Sequence, residues 1–244
     1  MSEQKQFVAT DEAKGKATQL RIFAALLWIG AIVAQIFAIR FILKAVSAEE
    51  SILNVWTIGL IVLDLILVLI GSMLWKKANR MDPPSEKNKF LFLLQSQLGV
   101  VAAIVAFLPL IIFILTNKNI DGKQKAILGS IAGVALLIAG IGSYDFNPPS
   151  IEKYTEQINA QTDEIKSLTG TDLVYWTPQG NKLHVYEDCQ HIRNSEVSNG
   201  TVEQAWQARK IDNNEVCKTC ISKAERAKGT GLEETIQDVL EEVN

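Results

Sequence analysis

Four long apolar stretches constrain this chain more than any other feature of its sequence. They occupy residues 22–42, 52–75, 90–116 and 126–144. Each comes close to the ~20 residues that a helix needs to cross about 30 Å of hydrocarbon. Lipid offers no partner for a backbone N–H or C=O group, so a segment that crosses it must be helical. The sequence therefore predicts an α-helical membrane protein with four transmembrane helices, over residues 21–144.

Two other interpretations of the apolar stretches are disfavoured. A buried soluble bundle does not need runs this long and this poor in charge. The first run follows a mainly polar segment and lacks a small-residue cleavage site, so it does not resemble a removed signal peptide. Residues 1–20 are therefore expected to form an N-terminal tail that stays in the protein.

Basic residues predict the orientation of the four helices. Residues 1–21 and the segment between the second and third runs hold nine Lys and Arg residues. Arg40, near the end of the first run, and the two opposite loops together contribute five. Lys and Arg accumulate on the cytoplasmic side of short loops. We therefore expect a multi-pass protein of the inner or plasma membrane, of bacterial type, with both termini in the cytoplasm.

Asp64 is an ionisable residue in the middle of the second run. An unpaired carboxylate there costs at least ~2.5 kcal/mol, so it must face protein or water. Gln35 in the first run and Gln95 in the third are its expected partners in a buried hydrogen-bonded cluster. Such a cluster could be an ion or proton site, or a protonated carboxyl that joins helices. The second is favoured, because Arg40 lies near the end of the first run and no second charge lies deep in the membrane to form a relay.

A connector is predicted over residues 145–170. Pro148 and Pro149 end the fourth helix, since neither can donate a backbone hydrogen bond. Ser150 can cap a new helix and Gly170 can terminate it. Apolar residues recur between them at heptad-like spacing, so this stalk could pack on the C-terminal domain, which is favoured, or form a short coiled coil. The stalk and the small residues Gly129 and Gly133 are two candidate contacts for a homo-oligomer.

A small α+β domain is predicted over residues 171–228. Two strands, at residues 173–176 and 182–185, are joined by a turn that contains proline and glycine. Thr201 and Gln204 have the spacing of a capping box that opens a helix. A further helical stretch is expected over residues 221–228.

Four potential metal ligands stand in this domain: His184-x4-Cys189 and Cys217-x2-Cys220. The set uses every cysteine of the chain, and an odd number of cysteines argues against a disulfide framework. One imidazole and three thiolates suit tetrahedral Zn²⁺. His191 is an alternative to His184, because it also lies close to Cys189. His184 is preferred, because the second strand fixes its direction.

At these residues the chain resembles a known family. Tyr175, Thr177, Leu183-His184, Cys189, Glu203-Gln204-Ala205 and Cys217-x2-Cys220 are similar to the zinc domain at the N-terminus of Ada-type DNA alkylation-repair proteins. The resemblance covers about 50 residues and implies a structural zinc site. His184 stands where that family has its methyl-accepting cysteine, so methyl transfer is not expected. As a whole, the chain also resembles uncharacterised four-helix bacterial membrane proteins.

Charge and motif content narrow the function. Residues 145–244 hold 10 Lys and Arg against 18 Asp and Glu, so this half would repel nucleic acid. A filled four-ligand zinc site has no open position for catalysis, and the sequence holds no convincing nucleophile–base pair. We expect a non-enzymatic membrane-anchored protein whose zinc module contacts an unknown cytoplasmic protein or acts as a sensor. A small transporter or channel component that uses Asp64 is one alternative, and a membrane-tethered nucleic-acid-binding module is another.

The tail, residues 229–244, has the pattern of an amphipathic helix. Its apolar face is formed by Leu232, Ile236, Val239, Leu240 and Val243. Docking on the zinc domain is favoured over binding to a partner protein.

The orientation can be tested with reporter fusions. A reporter that is active only in the cytoplasm, fused after Asn244, should be active, because four crossings return the chain to the side where basic residues accumulate. The same reporter placed at residue 119, between the third and fourth runs, is the matched control and should be inactive. The reverse pattern would contradict the predicted topology.

Overall fold

The structure, a computed structural model, describes residues 6–209 and 215–229. These residues form two compact units. The helical unit comprises residues 11–149, and the mixed unit comprises residues 6–10 together with the described residues from 150 onwards. The predicted helix over residues 229–244 lies outside the described residues, apart from Gly229.

The helical unit contains five helices. They are α1 (Asp11–Ser47), α2 (Val55–Met81), α3 (Lys89–Ser96), α4 (Leu98–Thr116) and α5 (Gly122–Ser143). Four of them, α1, α2, α4 and α5, are long and apolar enough to cross a membrane. The prediction of four such helices is confirmed.

Two boundaries differ from the prediction. The first helix begins at Asp11, within the expected N-terminal tail. The third apolar run is divided into α3 and α4, because the chain leaves helical geometry at Gln97. The Gln97 side chain donates to the Asp145 carbonyl at 2.9 Å and accepts from the Asp145 N–H at 3.0 Å. This paired contact with a segment distant in sequence fixes the break.

Small residues form the seam between α1 and α2. On α1 five buried alanines recur every seven residues, from Ala17 to Ala45. On α2 the buried positions Thr57, Asp64, Gly71 and Ala78 do the same. A Cβ on Gly71 would lie 2.6 Å from Trp28 Nε1 and 3.2 Å from the Ala24 carbonyl oxygen. The two backbones therefore approach so closely that only small residues fit, as is usual for helix pairs in membranes.

Many large apolar side chains lie on the outside of the helical unit. Ile22, Phe23, Leu26 and Ile29 of α1 are each more than half exposed. A soluble protein rarely leaves a continuous apolar surface of this kind in water. An exterior covered by large apolar side chains is what a lipid environment favours.

The first helix of the mixed unit is amphipathic, α6 (Ile151–Thr169). Ser150 caps it by accepting from the Lys153 N–H, and Gly170 ends it with a left-handed φ of 77°. Its buried face contacts α7 (Val202–Arg209), where Trp206 Nε1 donates to Gln161 Oε1 at 2.8 Å. The favoured interpretation of the stalk, packing on the C-terminal domain, is confirmed.

Within residues 171–209 and 215–229, the mixed unit contains four short strands and two helices. Strand β1 (Leu173–Trp176) pairs antiparallel with β3 (Ser198–Thr201), and β2 (Lys182–Leu183) pairs parallel with β4 (Glu215–Val216). The Thr201 N–H donates to Gln204 Oε1, and the Gln204 N–H donates to Thr201 Oγ1, so the predicted capping box is formed at the start of α7. Helix α8 spans residues 218–229.

The N-terminal segment docks on this unit. Phe7 is buried, and its ring meets that of Tyr154 edge to face at 5.3 Å. The Phe7 N–H donates to Thr155 Oγ1 at 2.9 Å, and Gln207 Nε2 donates to the Val8 carbonyl at 3.3 Å. Residues that precede α1 and residues that follow α5 therefore belong to one unit.

The tight α1–α2 seam can be tested by a pair of matched substitutions. Ala24→Leu should destabilise the protein by about 1–3 kcal/mol, because Ala24 is fully buried against α2 and the added methyl groups have no space. Ala25→Leu is the control, since Ala25 is exposed on the same helix. Thermal unfolding in detergent measures the difference, and equal stability of the two variants would contradict the seam.

Candidate metal centre

Backbone pairing positions His184. Its N–H donates to the Tyr175 carbonyl at 2.8 Å, and the Tyr175 N–H donates back to the His184 carbonyl at 2.7 Å. This bridge places His184 directly after β2, beside the fully buried Leu183. The imidazole is itself buried. The strand thus fixes the direction of this side chain, as the sequence predicted.

A tight turn presents Cys189. The Cys189 carbonyl accepts from the N–H groups of Ile192 and Arg193 at 2.9 and 3.0 Å, and the Ile192 side chain is buried below the turn. Lys223 of α8 bonds to Asp188 at 3.1 Å and lies 4.3 Å from the centre of the Tyr186 ring. These contacts hold the loop before Cys189 against α8.

The two remaining cysteines lie where β4 passes into α8. The Cys217 N–H donates to the Leu183 carbonyl at 2.8 Å, which extends the β2–β4 pairing. The Cys217 carbonyl accepts from the Ile221 N–H at 3.0 Å, so Cys217 opens the helix and Cys220 lies in its first turn. Parallel pairing therefore brings this segment beside His184.

The four side chains converge. His184, Cys189, Cys217 and Cys220 are all buried, and their ligand atoms lie within 4.8 Å of one another. The Cys220 Sγ atom is 3.7 Å from His184 Nδ1. Two ligands of a tetrahedral zinc ion with bonds of about 2.3 Å lie roughly 3.8 Å apart, so the spacing fits one ion. This group could hold a metal ion.

The surroundings of the sulfur atoms shift the pKa values of two cysteines in opposite directions. Burial raises the pKa of the Cys220 thiol to about 12, and nearby Cys189 and Cys217 add to the effect. For Cys217, burial is opposed by hydrogen bonds from the N–H groups of Cys220 and Thr219 and from neighbouring thiols, and the pKa is lowered. A bound cation would supply the positive charge that three buried thiolates lack, and loading would release protons.

His191 takes a different place. Its ring is exposed, with its centre 6.5 Å from that of His184, and Nε2 lies 3.2 Å from Thr219 Oγ1. The converging group contains His184. The geometry therefore favours His184 over His191 as the ligand.

The predicted polar cluster in the apolar helices is not formed. Asp64 and Gln35 are buried. Among the described residues, the two Asp64 carboxyl oxygens and the Gln35 amide nitrogen have no hydrogen-bond partner. Gln95 lies on α3, where its backbone carbonyl accepts from Trp75 Nε1. Because Gly71 lies against Ala24, the seven-residue spacing of the seam brings Asp64 opposite Ala31 instead of a polar residue.

Some groups that shape the site were not predicted from the sequence. The backbone N–H groups of Val185 and Thr219 donate to Cys220 and Cys217 respectively. Any residue at these positions could supply an N–H, so the sequence carries no signal for them. The docking of Phe7 was also missed, although a single aromatic residue in a polar tail is such a signal.

Comparison with models of protein families, with curated proteins and with solved structures gives no match. The site is therefore interpreted from its own geometry.

Ligand substitutions test the site. In the full-length protein, His184→Ala and Cys217→Ser should each lose bound metal and unfold the mixed unit, while the helical unit stays inserted, since folding and metal binding are coupled in small sites. His191→Ala is the matched control and should keep one metal ion per chain. Elemental analysis of the purified proteins measures the content. Metal lost equally in the His184 and His191 variants would contradict the assignment.

Proposed function

We propose that this protein is a membrane-anchored, non-enzymatic protein whose cytoplasmic zinc module serves protein contacts or sensing. The observation that carries the proposal is the convergence of four buried potential ligand atoms in the mixed unit. The chain enters this unit on both sides of the helical unit, before residue 11 and after residue 149. One imidazole and three thiolates are the donors that zinc prefers in closed structural sites. The similarity to the Ada-type zinc domain supports the same metal.

The route from metal to membrane supports a sensing role. A bound ion would join β2, the turn at Cys189 and the start of α8, and α7 packs on the neighbouring strands β1 and β3. Helix α7 and α6 in turn provide the contacts of Phe7 and Val8, which lie just before α1. A change of metal occupancy would therefore reach the first turn of a membrane helix through the covalent chain.

The proposal also includes a cytoplasmic location of both chain termini. The basic residues of the N-terminal segment and of the segment between α2 and α3 favour that side, and the cytosol keeps thiols reduced and available to a metal. Nucleic-acid binding is the weakest of the alternatives, because the C-terminal half is acidic.

Hydrogen exchange in the full-length protein tests the sensing role. Removal of metal with a chelator should raise exchange at residues 6–10 and at the start of α1, and leave α4 unchanged. Phe7→Ala should raise exchange at the same residues with metal still bound, because the aromatic contact with Tyr154 is lost. If chelation unfolds residues 171–228 without any change at residues 6–15, the module is only a structural element.

A second candidate function rests on Asp64. A buried carboxyl without a partner in an apolar helix marks an ion or proton pathway in many membrane proteins. Reconstituted protein should then carry ions or protons across liposomes, and Asp64→Asn should abolish the flux. Thr57→Val, at another buried position of the same helix face, is the control. Equal flux in protein-free liposomes would exclude this candidate.

A further inference from the structure

A cavity lies at one end of the helical unit. It has a volume of about 480 Å³ and is lined by the last turns of α2 and by the segment that follows α5. Three of its lining residues are basic, Lys76, Lys77 and Arg80, and one is acidic, Asp145. The cavity therefore carries an excess of positive charge.

The structure holds two of these cations in place. Lys76 Nζ donates to the Gly142 carbonyl at 2.8 Å, and Arg80 Nη1 lies 3.2 Å from Asp145 Oδ2. The Asp145 side chain is only 4% exposed, and its backbone is bound by the Gln97 amide. The basic residues consequently lie on a fixed framework instead of a flexible surface loop.

Lys77 takes no part in these contacts. Its side chain is exposed, and it makes no ion pair or hydrogen bond with the part of the chain that the structure describes. Since the single carboxylate already pairs with Arg80, the cavity has charge left for an anion.

One side of the cavity is apolar. Phe146 and Met73 are 79% and 60% exposed, and Phe146 meets Tyr144 edge to face with ring centres 4.8 Å apart. Aromatic side chains at the end of a membrane helix lie at the level of the lipid headgroups. A ligand that fits both walls has an anionic head and an apolar body.

We propose that this cavity binds the headgroup phosphate of an anionic phospholipid, with the acyl chains along the exposed apolar faces of α2 and α5. Basic pockets between membrane helices at the cytoplasmic surface suit such headgroups, and anionic lipids are concentrated in that leaflet. The proposal depends on insertion of the four helices, which extraction of membranes with alkaline carbonate tests separately.

Native mass spectrometry of the full-length protein in a neutral detergent tests the proposal. Phosphatidylglycerol should be retained in preference to phosphatidylcholine with the same acyl chains. Lys77→Gln should weaken this binding about fivefold, the factor that corresponds to the loss of one basic residue near a lipid surface. Lys76→Gln should weaken it at least as much, and Lys77→Gln remains informative if the Lys76 variant does not fold.

Two controls are needed. One distinguishes a phospholipid from a phosphate without acyl chains, and the other compares this cavity with basic residues at the opposite end of the helical unit. Lys123→Gln and Lys125→Gln remove the same charge at the start of α5 and should leave binding unchanged. Glycerol 3-phosphate, which has the phosphate without acyl chains, should bind far more weakly. Equal retention of both lipids, equal weakening by the control variants, or equal binding of glycerol 3-phosphate would each overturn the proposal.

Discussion

In the mixed unit, four potential metal ligands from separate parts of the chain converge. Strands β2 and β4 have only two residues each, and so few backbone hydrogen bonds do not hold a sheet by themselves. An ion bound by His184, Cys189, Cys217 and Cys220 would join the strands, the intervening turn and α8. Small domains commonly need such a crosslink, because their apolar core is too limited to offset the loss of chain entropy.

The helical unit is held by a different principle. In lipid the hydrophobic effect does not drive helices together, so their association must come from close packing. Alanines of α1 against Thr57, Gly71 and Ala78 of α2 allow this close approach, and the Ser143 hydroxyl donates to Ser72 Oγ at 2.8 Å between α5 and α2. Asp64 lies in the same seam without a hydrogen-bond partner in the described part of the chain, and this position costs stability that the packing around it must offset.

Features set by local sequence were predictable, and features set by distant contacts were not. Length and apolarity gave the four membrane helices, and the caps at Ser150, Gly170 and Thr201 follow from residue types that act within a few positions. The spacing of the cysteines indicated a possible metal site, because two cysteines separated by two residues can bind one ion from a single tight turn. In contrast, β3 is made of polar residues without alternation, and the break at Gln97 requires Asp145 to be near. Asp64 was expected to pair with Gln35 and Gln95 because buried polar groups usually form hydrogen bonds. The register between α1 and α2 is instead set by the spacing of the small residues.

The basic residues near the end of α2 show how one feature serves several purposes. Counted along the sequence, Lys76, Lys77 and Arg80 indicate the cytoplasmic side of the membrane. In the structure, Lys76 also satisfies the Gly142 carbonyl, one of the last carbonyls of α5, and Arg80 neutralises the buried Asp145. Because two cations are fixed by these internal contacts, their positions do not depend on a ligand. A preformed positive site beside exposed aromatic side chains loses little conformational entropy on binding, and this is the condition under which a weak surface attraction for anionic lipid becomes a specific one.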